Sequence, residues 1–178
     1  MEFQTPVTMP ALALRGLTIF PSTMLHFDVG REPSIKALDE SMTSGQPIFL
    51  VAQRDLSVES PQMEDLYTIG TISNVRQILR LPGDNVRVMV EGTARGRLIQ
   101  LTQTSPYLQA SVEEIVPDVP VRSSARTEAL MRRTYELFET YIELAPKMTP
   151  EILLSVLASE DPGYIADYIA QNLPMRTG

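Results

Sequence analysis

The 178-residue sequence contains no cysteine and no tryptophan. Without cysteine, disulfides, thiol nucleophiles and thiolate metal sites are excluded together, and the chain suits a reducing compartment. Histidine occurs once, as His26, and lysine twice, as Lys36 and Lys147. A hydrolytic triad needs such a base poised beside a nucleophile. The one near pairing, Lys36 with Ser34 or Ser41, reads as a solvated helix face. Neither G-x-x-x-x-G-K-[ST] nor G-x-G-x-x-G after a strand is present, so the common phosphate cradles are missing. Glu113 and Glu114 are adjacent on a predicted strand, point to opposite faces and cannot converge for acid–base work. There is no export signal and no apolar run of membrane-spanning length, which leaves a soluble cytoplasmic protein that does not contact membrane as the expectation. No catalytic residue, metal or cofactor is expected of this chain.

Positive charge is also scarce. The formal net charge is −7 with a pI near 4.8, so the summed field repels polyanions and no nucleic-acid partner is expected. The few cations are almost all arginine, thirteen against two lysines. Arginine favours bidentate, partly buried pairing, so some should tie strands or subunits together.

What is present is a β-rich first part and a helical second part. Residues 9–15 read as a strand, and residues 24–29 alternate, with Leu25, Phe27 and Val29 on one face and Met24, His26 and Asp28 on the other. Pro33 then opens a short helix, with Ile35, Leu38 and Met42 at helical spacing up to Gly45. The run PIFLVAQ, residues 47–53, reads as a buried strand, and residues 56–64 as a polar loop. Gly92 and Gly96 read as a bulge or turn, and residues 98–103 and 107–116 as two further strands.

Prolines at 117 and 120 end the β pattern, so residues 1–116 form one predicted domain, 117–124 a linker and 125–178 a helical part. Residues 125–144 place Leu130, Leu137, Phe138, Tyr141 and Ala145 on one predicted stripe. Thr149-Pro150-Glu151 and Asp161-Pro162 signal the starts of two more helices, the last with Ile165, Ile169 and Leu173 along one face.

The most informative stretch is residues 65–91, two predicted strands around Gly83-Asp84. With those two residues as the loop, Leu81, Leu79 and Gln77 face Val86, Val88 and Val90 on the core side. The solvent side then carries Arg80 opposite Arg87, Ile78 opposite Met89 and Arg76 opposite Glu91. Such an apolar pair among arginines suits a docking surface, the alternative being that another element of the same domain covers it. A bulge or a longer loop would exchange the faces.

Together these residues resemble the N-terminal domain of the Lon ATP-dependent proteases. The matching pieces are Ala13-Leu14-Arg15 with Phe20-Pro21, Val29-Gly30-Arg31 with Ser34, Ile48 through Asp55, Asp65 through Thr71, and Val90-Glu91-Gly92 with Arg95. Ala13 departs from the Pro-Leu-Arg usual at that point of the family. The resemblance implies an α+β protein: an N-terminal six-stranded, PUA-like pseudo-barrel with one short helix, then a small C-terminal helical bundle leading to ATPase and serine–lysine protease modules. Neither module is in these 178 residues, so the resemblance implies a truncated, non-catalytic piece ending at Gly178.

Its implied partners are unfolded or damaged polypeptides and degradation tags, with the full-length protein self-associating as a homohexamer. That role requires an exposed, tolerant apolar surface. The expected substrate-binding residues are Ile78 and Met89 flanked by Arg76, Arg80 and Arg87, with Phe20, Pro21 and Met24 as a second patch. A pure assembly module, its apolar face buried between subunits, is the competing expectation.

Overall fold

A computed structural model describes residues 5–116, 124–145 and 149–173. The chain divides into two compact units, with the boundary between Val116 and Pro117. Of the predicted linker at 117–124, residues 117–123 lie outside the described residues, and Ser124 belongs to the start of the first helix after it.

The first unit contains β1 (Val7–Leu14), β2 (Met24–Val29), α1 (Glu32–Ser44), β3 (Ile48–Ala52), β4 (Ile69–Arg80), β5 (Val86–Gln103) and β6 (Gln109–Ile115), with one 3₁₀ turn at Met63–Asp65. The strand order is β2-β5-β4-β3-β1-β6, and β6 also pairs with β5. The pairings therefore run in a ring through β5, β4, β3, β1 and β6, with β2 attached to the first half of β5 at an edge. β1 and β3 pair in parallel and every other pairing between named strands is antiparallel. Of the bulge or turn predicted at Gly92 to Gly96, the structure has the bulge, inside one continuous 18-residue strand. A shift in register there sets Ile72 opposite Ala94 and Ser73 opposite Gly92, leaving Thr93 as the extra residue. The Thr93 hydroxyl donates to the Ile72 carbonyl at 2.9 Å, satisfying a ladder acceptor at the irregularity.

Two apolar cores lie on opposite sides of β1 and β3, which explains why six consecutive residues of β1 are buried. One core collects Met9, Ala11, Phe49, Ile72, Leu98 and Val112, a contribution from every strand of the ring. Its centre depends on two register partners, Gly70 and Gly96. A Cβ on Gly96 would lie 2.6 Å from Val112 Cγ1 and 2.9 Å from Phe49 Cε2, and one on Gly70 would lie 2.6 Å from Phe49 Cζ, so the aromatic ring occupies the space of two missing side chains. The other core sets Ala37 and Leu38 of α1 against Leu12, Leu50 and the valines Val86, Val88 and Val90 of β5. α1 starts with Pro33 in its first turn and ends at Gly45, whose φ of 69° is left-handed. Its buried face is Ser34, Ala37, Leu38 and Ser41, while Met42, predicted on that face, is exposed. The smaller residues allow α1 to approach the sheet closely, and Ser41 satisfies itself by donating to the Gln46 carbonyl at 2.7 Å.

The second unit consists of α2 (Ala125–Leu144), α3 (Pro150–Leu157) and α4 (Pro162–Asn172). Ser124 caps α2 by accepting from the Thr127 amide, and Asp161 caps α4 by accepting from Gly163. Phe138, Val156 and Ile165 form the buried centre, with Met131, Tyr135, Tyr141, Ile142 and Ile169 packed around it. The predicted α2 stripe is thus rotated: Leu130 and Leu137 are exposed, and Met131, Tyr135 and Ile142 take the inward positions. Tyr135 reaches the Ser159 carbonyl at 3.0 Å, which favours that side facing inward because its hydroxyl finds a partner.

Candidate functional site

The outer face of the β2-β5-β4 sheet is built from three cross-strand rows. Met24, Glu91 and Asn74 form one, His26, Met89 and Gln77 the next, and Asp28, Arg87 and Leu79 the third. The opposite face of the same strands carries Leu25, Phe27, Val88, Val90, Val75 and Ile78 against the α1 core.

The hairpin differs from the two-residue-loop expectation. The Leu81 amide donates to the Asn85 carbonyl at 2.8 Å, and residues 82–84 form the loop, with φ of 82° at Gly83 and 59° at Asp84. Arg80 therefore pairs with Val86, Leu79 with Arg87 and Ile78 with Val88. The slip turns Ile78 inward and Leu79 outward, correcting both assignments. Further along, a register shift between Val75 and Gln77 leaves Arg76 as the extra residue, so Val75 and Ile78 both reach the core despite their odd spacing.

Arg80 goes with Ile78 to the inner face's rim and reaches Asp39 of α1 at 3.2 Å, so it does not flank Met89 as expected. Arg76 pairs with Glu91, its Nε at 2.7 Å from Oε2, and Arg87 donates to Asp28 at 2.7 and 2.8 Å. The hydrogen bond from Arg87 holds the Asp28 carboxyl below the usual carboxylate value; loss of solvent opposes it, and the Arg87 charge adds to the lowering. Arg87 is raised in turn by the same bond.

Met24 and Leu79 are 55 % and 52 % exposed while Met89 is half-buried between their rows, giving a shallow apolar strip bounded by two ion pairs. Phe20 and Pro21 are half-buried in the segment that crosses Gly92: the Ser22 amide donates to the Gly92 carbonyl and the Gly92 amide to Thr23, both at 2.9 Å. The two predicted patches are therefore joined through the row of Met24 and Glu91. Leu79 and Gln77 were missed. Their signal was Gly83-Asp84-Asn85, three residues tolerant of left-handed backbone, which permits a loop longer than two. Among the described residues no three carboxylate or imidazole groups converge on a metal position, and no helix is long and apolar enough to cross a membrane.

An open sheet face with soft apolar side chains, bounded by paired charges on an α+β scaffold, has the character of a binding surface. The chain belongs to the family of the ATP-dependent protease La (LON) substrate-binding domain, which matches residues 8–177. It is 42% identical over 172 residues to the Lon protease of Clostridioides difficile (strain 630), covering 95% of this chain and 22% of that protein. It is 41% identical over 175 residues to the Lon protease of Heliobacterium modesticaldum, covering 98% of this chain and 21% of that protein. The chain thus spans about a fifth of the length of these curated relatives. Its fold is that of the N-terminal domain of Mycobacterium avium complex Lon protease, with a TM-score of 0.73 at 18% identity over 96% of this chain and 85% of that one. The Lon N-terminal domain protein from Xanthomonas campestris aligns with a TM-score of 0.56 at 14% identity, over 94% of this chain and 99% of the other.

Proposed function

We propose that this chain is the non-catalytic substrate-recognition region of a cytoplasmic, ATP-dependent Lon-type protease, holding unfolded or damaged polypeptide on the outer face of β2, β5 and β4. The observation that carries the reading is the strip of Met24, Met89 and Leu79, exposed at Met24 and Leu79, on a face whose other side packs on the α1 core. Methionine adapts its three rotatable bonds to varied apolar partners, as a ligand defined only by being unfolded requires. β2 stands at the edge of the strand order, so an extended segment can add to its backbone while its side chains meet the strip. Such binding needs no cofactor. The ring of pairings supports reading the first unit as a PUA-like pseudo-barrel. The test is binding of a fluorescently labelled, permanently unfolded protein to this chain. Met24→Ser with Leu79→Ser should weaken it about tenfold, the loss of two apolar contacts, with the circular dichroism unchanged. Unaltered binding would remove the strip from the site.

Assembly is a second reading, favoured by a separate observation on α2. Leu130, Leu137 and Leu144, seven residues apart, are 60 %, 54 % and 78 % exposed. A leucine at each heptad is the pattern of a helix seam, and it supports self-association toward a hexamer.

A further inference from the structure

Arg15, just after β1, and Arg31, just before α1, are set apart from the arginines of the sheet face. Arg15 donates from Nε to Gln53 Oε1 at 3.4 Å and from Nη2 to the Val58 carbonyl at 2.8 Å. Arg31 donates from Nη1 to the same Gln53 oxygen at 3.2 Å and to the Glu59 carbonyl at 3.3 Å, and from Nη2 to the Ala13 carbonyl at 2.6 Å. All their acceptors are neutral. Among the described residues, Arg76, Arg80, Arg87, Arg97 and Arg133 each have a carboxylate within ion-pair distance, whereas Arg15 and Arg31 have none.

Gln53 cannot turn away, because its amide nitrogen donates to the Asp55 and Val58 carbonyls at 3.2 and 2.9 Å, which holds its oxygen toward the two cations. Burial, and after it the charge of Arg15, lower the Arg31 pKa from the ordinary arginine value. Arg15 Nη1 and Arg31 Nε have no acceptor among the described residues, so each guanidinium keeps a donor to offer.

Both arginines line a cavity of about 610 Å³, whose wall is apolar at Ala11, Ala13, Pro33, Pro61 and Leu108 and polar at Ser34, Ser60, Gln62 and Thr104. The first turn of α1 borders it and carries no side-chain cap. Glu32 and Glu59 also stand at its rim, the former bound to Lys36 at 2.7 Å. That balance suits one negative charge on a partly apolar body and disfavours a polyphosphate, which would meet both carboxylates. No aromatic side chain lines the cavity to stack a base.

We propose that this cavity receives the carboxyl terminus of a polypeptide, its carboxylate on Arg15 and Arg31 and its last side chain on the Ala11, Ala13 and Leu108 wall. The site rests on the substrate-recognition reading above and adds a specificity to it: a chain end, as distinct from any exposed apolar segment. A terminal carboxylate has two oxygens, one for the free donor of each arginine, and charge-assisted arginine hydrogen bonds are among the stronger ones to a carboxylate.

The test uses the 178-residue chain and a fluorescein-labelled ten-residue peptide ending in alanine-leucine, made as the free acid and as the carboxy-terminal amide. By fluorescence anisotropy the acid should bind about tenfold more tightly than the amide, the effect of removing one charged hydrogen-bond partner. Arg15→Gln should bring the acid to the level of the amide, and Glu59→Gln should widen the ratio. Because the amide arm leaves the protein unchanged, a variant that fails to fold does not rescue the idea. Equal binding of acid and amide overturns the proposal, as does inorganic phosphate displacing the acid at lower concentration than acetate does. If acid and amide bind alike while labelled unfolded protein still binds the sheet face, the chain-end site fails and the substrate-recognition reading stands. If the acid is preferred and unfolded protein does not bind, the strip is lost and the cavity stands.

Discussion

Met89 on β5 lies opposite Gln77 on β4, one residue away from the partner that a two-residue loop at Gly83-Asp84 would give it. This offset fixes which side chains of the hairpin are structural. Ile78 packs on the α1 core, so Ile78→Ser leaves a hydroxyl among aliphatic side chains and should cost about 1–3 kcal/mol. Leu79→Ser, one residue away, should stay within about 0.5 kcal/mol because its side chain is in solvent. Urea denaturation of the two variants checks the register directly: equal losses, or a greater loss at Leu79, would restore the shorter loop.

The alternation of β2 and the proline and cap signals of α3 and α4 were legible because they are local properties of the chain. α2 was legible in extent but not in facing, since a twenty-residue helix with leucines on several sides offers more than one apolar stripe. The register of β4 was not legible, because a bulge at Arg76 and a three-residue loop each shift parity and neither has an obligatory residue signature. Arg15 and Arg31 appeared in the sequence only as family-like positions. Their convergence depends on Gln53, a residue of a different strand end, and such long-range meetings leave no trace in local pattern.

Phe49 lies against Gly70 and Gly96 at the centre of the ring core, and this contact should be intolerant of a single methyl group. Gly96→Ala brings a carbon to 2.6 Å from Val112 and 2.9 Å from Phe49, neither of which has room to retreat, since both are fully buried. The expected cost is about 1–3 kcal/mol from overpacking. Phe49→Ala should cost about 3–5 kcal/mol from the cavity. In the double variant the clash with Phe49 is relieved, so the measured loss should fall below the sum of the single losses, a coupling that thermal denaturation of the four proteins would show.

Asp28 is paired with Arg87 on the open face, and its folded-state pKa lies below the usual value. A depressed carboxyl contributes stability above its unfolded pKa, about 4, and loses that contribution as the pH falls through the folded value. Carboxyl carbon titration by NMR should therefore find Asp28 ionised below the range of ordinary aspartates. In Arg87→Gln its midpoint should move upward. Both groups are about half exposed, so the shift should shrink in high salt. An unchanged midpoint in Arg87→Gln would assign the depression to another cause.

On α2 the residues that pack the helical unit are distinct from those of the proposed assembly seam. Phe138 is buried and stacks on Tyr141 with ring centroids 6.4 Å apart, whereas Leu137 beside it and Leu130 and Leu144 one heptad either way are exposed. Phe138→Ala empties the centre formed with Val156 and Ile165 and should cost about 3–5 kcal/mol. Leu130→Ser with Leu137→Ser removes apolar surface already in water and should leave the folding of this unit within about 1 kcal/mol. If the stripe is an assembly seam, sedimentation velocity should show the wild-type chain associating with concentration and the leucine variant remaining monomeric, both folded. A wild-type chain that stays monomeric at every accessible concentration removes the support for self-association through α2.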